Sequence, residues 1–266
     1  MRHTSCLKLL STGLLLAMLS PPEAGCADKR EIILAAQHSY YNIPNQGLTE
    51  FQCSVVPDWA AMLKQELKSE VKPDNPALKL LDGVHFWVSV NRNGITKLTH
   101  QVDANPTAPS SIENLQQAIS GIEETIDGFW KSASAFLLTS ALPRADSAFE
   151  LAERNGIYEL SYREGDFDIV TSMDKDYAIV EIKVTSAAVT SSLKPKFTKT
   201  NQGFLLAAYA ADYKLSSGGP SHVSVQIKYN EIEGFQLPTS LIVDTSGDEG
   251  SHTVLLQLRD YQIKKR

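Results

Sequence analysis

The chain has 266 residues, 42% of them hydrophobic, and a formal net charge of −6 at pH 7. An acidic chain without a basic stripe argues against nucleic acid as a partner and against electrostatic docking on anionic lipid. The closing Lys264-Lys265-Arg266 is too short to change that balance and reads as a solvated tail.

Residues 1–27 read as a secretory signal peptide. Arg2, His3 and Lys8 form a basic start, Leu9–Leu19 is an apolar run too short to span a bilayer, and Pro21-Pro22 end it. Two processing outcomes follow. Small residues Gly25-Cys26-Ala27 suit cleavage before Asp28, whereas Ala24-Gly25-Cys26 ends like a lipobox with Cys26 as the acylated anchor. Glu23 stands where a lipobox needs an apolar residue, which favours plain cleavage. Either outcome exports the protein, with the periplasm as the expected compartment. Removal of the leader takes away Cys6, Cys26 and a net charge of +1, leaving −7 and the single thiol Cys53. One thiol cannot staple a domain, so residues 28–266 are expected to form one domain around an apolar core, with Cys53 inside it. No later apolar stretch is long enough to span a membrane, so an integral membrane protein is not expected.

Asp28–Tyr41 carries Ile32, Ile33, Ala36 and Tyr40 at helical spacing and stops at Asn42–Gly47. Leu48–Val56 reads as a strand, with Leu48, Cys53 and Val55 or Val56 on its inner face. Pro57 suits the first turn of a helix striped by Trp59, Met62, Leu63, Leu67 and Val71. Val84, Phe86, Val88 and Val90 alternate with His85, Trp87 and Ser89, Asn91–Gly94 turns, and Ile95–Val102 returns as a hairpin.

After Pro106 and Pro109, Ser110 and Glu113 have the spacing of a capping box. Ile112, Leu115, Ile119, Ile122, Ile126, Phe129, Ala133 and Phe136 then step by three and four, with Trp130 and Leu137 widening the stripe, until Pro143. A helix of about thirty residues would be roughly 45 Å long, which predicts a break near Gly121 or Gly128. Its aromatic end, Phe129, Trp130 and Phe136, has two readings. One is ordinary core; the other is a lid over a cavity, which makes these three the candidate ligand-binding residues.

Ile157–Ile263 carries about eight strand-like runs. Val223, Val225, Ile227 and Tyr229 alternate with Ser224, Gln226, Lys228 and Asn230, and Ala178, Val180, Ile182 and Val184 behave likewise. Turn signals separate the runs, among them Glu164-Gly165-Asp166, Asn201-Gln202-Gly203 and Ser217–Pro220. Connections this short cannot hold a crossover helix, so neighbouring strands must be antiparallel. Phe204–Ala211 has small residues on both faces and fits a closely approached strand or a helical turn.

Chemical motifs are missing. There is no G-x-S-x-G, H-E-x-x-H or C-x-x-C and no phosphate loop, so neither catalytic residues nor cofactors are expected. His38, His85, His100, His222 and His252 are scattered, and no metal site is expected. The carboxylate groups Asp166/Asp168, Asp174/Asp176 and Asp244/Asp248/Glu249 lie in or beside turns, where Asp is favoured for backbone reasons, and none matches a calcium loop.

The stretch Tyr229-Asn230-Glu231-Ile232-Glu233-Gly234-Phe235-Gln236-Leu237-Pro238, then Leu241-Ile242-Val243, leads to the close Leu256–Ile263. It resembles the end of bacterial outer-membrane lipoprotein-sorting proteins, in which a tyrosine-containing strand passes an acidic turn to Gly-x-x-x-Pro and a further strand. The helix after the first strand departs from that pattern. The resemblance implies an α+β fold: a curved antiparallel sheet, an incomplete barrel of about 11 strands, with helices on its concave face. It also implies a cavity for lipoprotein acyl chains or comparable lipid.

The apolar inside of an open curved sheet must be filled by helices or by a ligand. The expected function is therefore a non-catalytic envelope carrier or sensor of lipid or lipoprotein. The alternative is an interaction or assembly module with a self-filled core and an envelope protein as partner.

Overall fold

The computed structural model describes residues 28–103, 109–216, 218–248 and 250–266. The leader with Cys6 and Cys26, Pro106, Ser217, Glu249 and the Ser110 side chain of the expected capping box lie outside the described residues. The described residues form an α+β fold, with four α-helices and one open antiparallel sheet.

The N-terminal part supplies helix α1 (Lys29–His38), β1 (Leu48–Pro57), α2 (Trp59–Leu67), α3 (Pro76–Asp82), β2 (Val84–Asn91) and β3 (Thr96–Val102). The long helix α4 (Pro109–Leu137) follows. Nine strands complete the chain: β4 (Glu150–Arg154), β5 (Ile157–Glu164), β6 (Phe167–Met173), β7 (Ile179–Thr185), β8 (Val189–Thr200), β9 (Gly203–Leu215), β10 (Pro220–Ile232), β11 (Phe235–Gly247) and β12 (Gly250–Lys265). Strand order is β3-β2-β1-β12-β11-β10-β9-β8-β7-β6-β5-β4. The second half is therefore an uninterrupted meander whose last strand docks on β1, and the sheet ends in two unpaired edges, β3 and β4.

Turn chemistry sets this topology. Asn155 and Gly156, between β4 and β5, both have positive φ (54° and 76°), the twist a two-residue hairpin requires. Register shifts mark extra residues in β9 opposite Lys196/Phe197, in β11 opposite Lys228/Tyr229, and in β12 opposite Gln52/Ser54. Bulges bend and twist a sheet, and here they curl it. Pro238 sits at the β11 shift, where a missing ladder N–H is tolerated.

Twelve strands stand where about eleven are expected. The additional one, β4, has the sequence Glu-Leu-Ala-Glu-Arg, short and charged, as suits an exposed edge. Helix α3 is also unexpected, although Asn75 caps it (Oδ1 accepts from the N–H of Ala77 at 2.9 Å) and Pro76 opens it. Pro57 closes β1 rather than opening α2, whose cap is Asp58. The expected break in the long helix is absent: α4 runs unbroken for 29 residues and stops at Leu137, short of Pro143. On β1 the inner face holds Leu48, Phe51, Cys53 and Val55, whereas Val56 is 42% exposed.

The core lies between the concave face of the sheet and α4. Val88 and Val90 of β2, Phe51 of β1, Leu256 and Leu258 of β12 and Leu241 of β11 are buried in one cluster with Ile122, Ile126, Trp130 and Ala133 of the helix. The segment after α1 is tied to the meander: the N–H of Tyr41 donates to the Phe204 carbonyl at 3.0 Å, and that of Phe204 to Ser39 at 2.7 Å. Gly203 permits this approach. Its φ is +116°, and a Cβ there would sit 2.6 Å from the Ser39 carbonyl oxygen.

Candidate functional site: a cleft beneath the long helix

Antiparallel register aligns residues of different strands into transverse rows. Tyr209, Val225, Val243 and Val254 pair across β9–β12, and Ala211, Val223, Thr245 and His252 form the next row. Tyr209 and the four valines, with Tyr213, give the concave face an apolar floor along this stretch. Helix α4 crosses above it. Ala118, Gly121, Thr125, Gly128 and Ser132 step by three and four residues, so they share one helix face, and that face forms the opposite wall with Ile122 and Phe129. Met62 of α2 contributes as well. The space enclosed is ≈ 690 Å³, within the range of small-ligand sites, and is open to solvent along part of its length.

Gly121 and Gly128 are solvent-exposed where they border this space. A Cβ placed on Gly121 or Gly128 would meet nothing within 4 Å. Each glycine in a helix interior costs about 0.5–1 kcal/mol relative to alanine. Close packing explains neither one, because the protein brings nothing near them. The expected helix break assigned these glycines the wrong role: they line the cleft of an intact helix.

Polar groups are few and uncharged inside. Burial pushes the Tyr209 phenol well above its ordinary value, against a smaller opposing hydrogen bond with Ser132, and acts on Tyr213 in the same sense. Both remain neutral O–H groups over the physiological range. Glu124 and His252 are exposed at the margin, and no lysine or arginine is among the lining residues.

Of the three aromatic candidates, Phe129 lines the cleft. Trp130 does not: its ring is 1% exposed and packs on Phe51 and Phe129, with centroids 5.4 and 4.9 Å away. Phe136 packs on Phe197 at 5.7 Å and borders a separate cavity of ≈ 340 Å³ formed with Tyr40, Asn42, Leu142 and Ile179. Two of the polar side chains around that cavity are engaged: Tyr40 donates to the Tyr177 carbonyl at 2.7 Å, Asn42 to that of Thr139 at 2.9 Å. The lining residues of the main cleft that sequence reasoning missed are Gly121, Thr125, Gly128 and Ser132. Their shared spacing was the available signal.

The turn carboxylates satisfy the backbone and their neighbours. Asp174 accepts from the N–H groups of Asp176 and Ala178, each at 2.9 Å, and Asp244 accepts from Thr253. Cys53 is buried, and loss of solvent pushes its thiol up to about 12. Among the described residues no group of three or more His, Cys, Asp or Glu side chains is placed to hold a metal ion, and no helix is long and apolar enough to cross a membrane.

The fold and cleft together define a class: an open, curled antiparallel sheet with a long helix laid across its concave face. No protein family model, no curated protein and no solved structure matches the chain.

Proposed function

We propose that this protein is an exported, non-catalytic carrier or sensor that holds the hydrocarbon tail of a lipid or lipoprotein between α4 and the β9–β12 floor. The observation that carries the reading is the pair of interior glycines facing open space above an apolar floor. Side chains there would fill the cleft and favour the helix, yet both are missing. A long, thin, flexible apolar ligand fits such a trough, because it buries its methylenes at about 0.8 kcal/mol each without needing directional partners. A rigid polar substrate would find hydroxyls inside and only Glu124 and His252 at the exposed margin.

The test is organic extraction of protein purified gently from its native envelope, followed by mass spectrometry. Stoichiometric lipid lost from a Gly128→Leu variant supports the carrier. Consistently clean protein that instead brings down one envelope protein supports the assembly module.

A further inference from the structure

We infer that the cleft selects ligands by the charge of their polar end, admitting uncharged or cationic head groups and turning away carboxylates and phosphates. This rests on the tail-binding reading. Burying an anion requires a cation, a helix N-terminus or free backbone N–H groups, and the cleft offers none of the three. No lysine or arginine lines it. The nearest lysines along its two helices are engaged elsewhere, Lys131 with Asp127 and Lys64 with Glu70. Helix α4 presents its middle, residues 118–132, and the positive end of its dipole acts only within the first turn. The floor strands β9 to β12 are paired on both sides, so their N–H groups are spent in the ladder.

What remains are side-chain hydroxyls, from Tyr209, Tyr213 and Ser132 and from Thr125 and Thr245, whose O–H groups already donate to the Gly121 and His252 carbonyls, with the carboxylate of Glu124 and the imidazole of His252 at the exposed rim. Hydroxyls match glycerol, ester and amide groups. Glu124 adds attraction for an ammonium and repulsion for an anion. It is the specificity-determining residue of this scheme.

Four probes of equal chain length separate the outcomes in calorimetric titrations of the full chain: a monoacylglycerol, an alkyltrimethylammonium, a fatty acid and a monoacylglycerol phosphate. The first two are expected to bind about tenfold or more tightly than the two anions, a ratio that shrinks with salt. In Glu124→Lys the fatty acid is expected to gain about tenfold relative to the monoacylglycerol. Equal binding of all four probes, or tighter binding of the anions, overturns the charge selection alone. Binding of none overturns the tail-binding reading and this inference with it. An unchanged ratio in Glu124→Lys, at unchanged stability, removes Glu124 from its role.

Discussion

The two faces of α4 are built from the same helix and do opposite work. One presents Ile126, Trp130, Ala133 and Leu137, all buried to about 1% exposure or less, with the Trp130 ring packed on Phe51 of β1. The other presents Ala118, Gly121, Thr125, Gly128 and Ser132 to the cleft above β9–β12. On the first face every added methylene finds neighbours, and packing supplies stability. On the second the helix keeps its side chains short, and the space they leave is where function is sought. The contrast teaches that an apolar stripe marks where a helix is held, while a stripe of small residues beside it marks what the helix has been kept away from.

This contrast is broken most strongly on the packed face. Trp130→Ala removes the ring lodged between Phe51 and Phe129 and is expected to lower stability by about 3–5 kcal/mol in urea titration. Gly203→Val attacks the anchoring of the segment after α1, forcing a β-branched residue into φ +116° and 2.6 Å from a carbonyl. A loss of about 1–3 kcal/mol is expected, with faster proteolysis within residues 28–41. The open face responds with the other sign. The double variant Gly121→Ala/Gly128→Ala is expected to gain roughly 1–2 kcal/mol while retaining less lipid, because the added methyls reach into the cleft. A gain in stability without loss of retention would disconnect the glycines from ligand binding.

The smallest effect concerns Cys53 on the packed side. Its thiol, pushed up to about 12 by burial, should resist alkylation at pH 8 in the folded protein and react on unfolding. A folded value above the unfolded one means that this group's contribution to stability is complete below the ordinary thiol range, about 8.5. That contribution is lost as pH rises toward 12.

Local pattern made the meander legible. Alternation through Val223–Asn230 and turns such as Glu164-Gly165-Asp166 are encoded within a few residues, and they foretell antiparallel neighbours without any tertiary information. Leu48 and Cys53 were legible as inner residues of β1, but Phe51 was not, because the bulges that carry it inward depend on the partner strand β12. Strand β4 carries no alternation to read. The cleft was legible only by half. Phe129 stood out by size, whereas Gly121 and Gly128 read as weak points in a helix. A glycine's meaning lies in what faces it, and sequence does not show that. Trp130 shows the converse: an aromatic at a helix end advertises burial, and only geometry tells core from cavity wall.

The pairing of β12 with β1 has a consequence for how the molecule comes into being. Thr49 and Lys264 are joined by a hydrogen bond across a sequence separation of 215, and within the sheet the β1–β12 seam joins the N-terminal strands to the meander. Such distant closure makes for slow folding and leaves β1 a bare, sticky border until the final strand arrives. A chain still on the ribosome is therefore obliged to wait, and chaperones have a defined surface to guard: the flank of β1 reserved for β12.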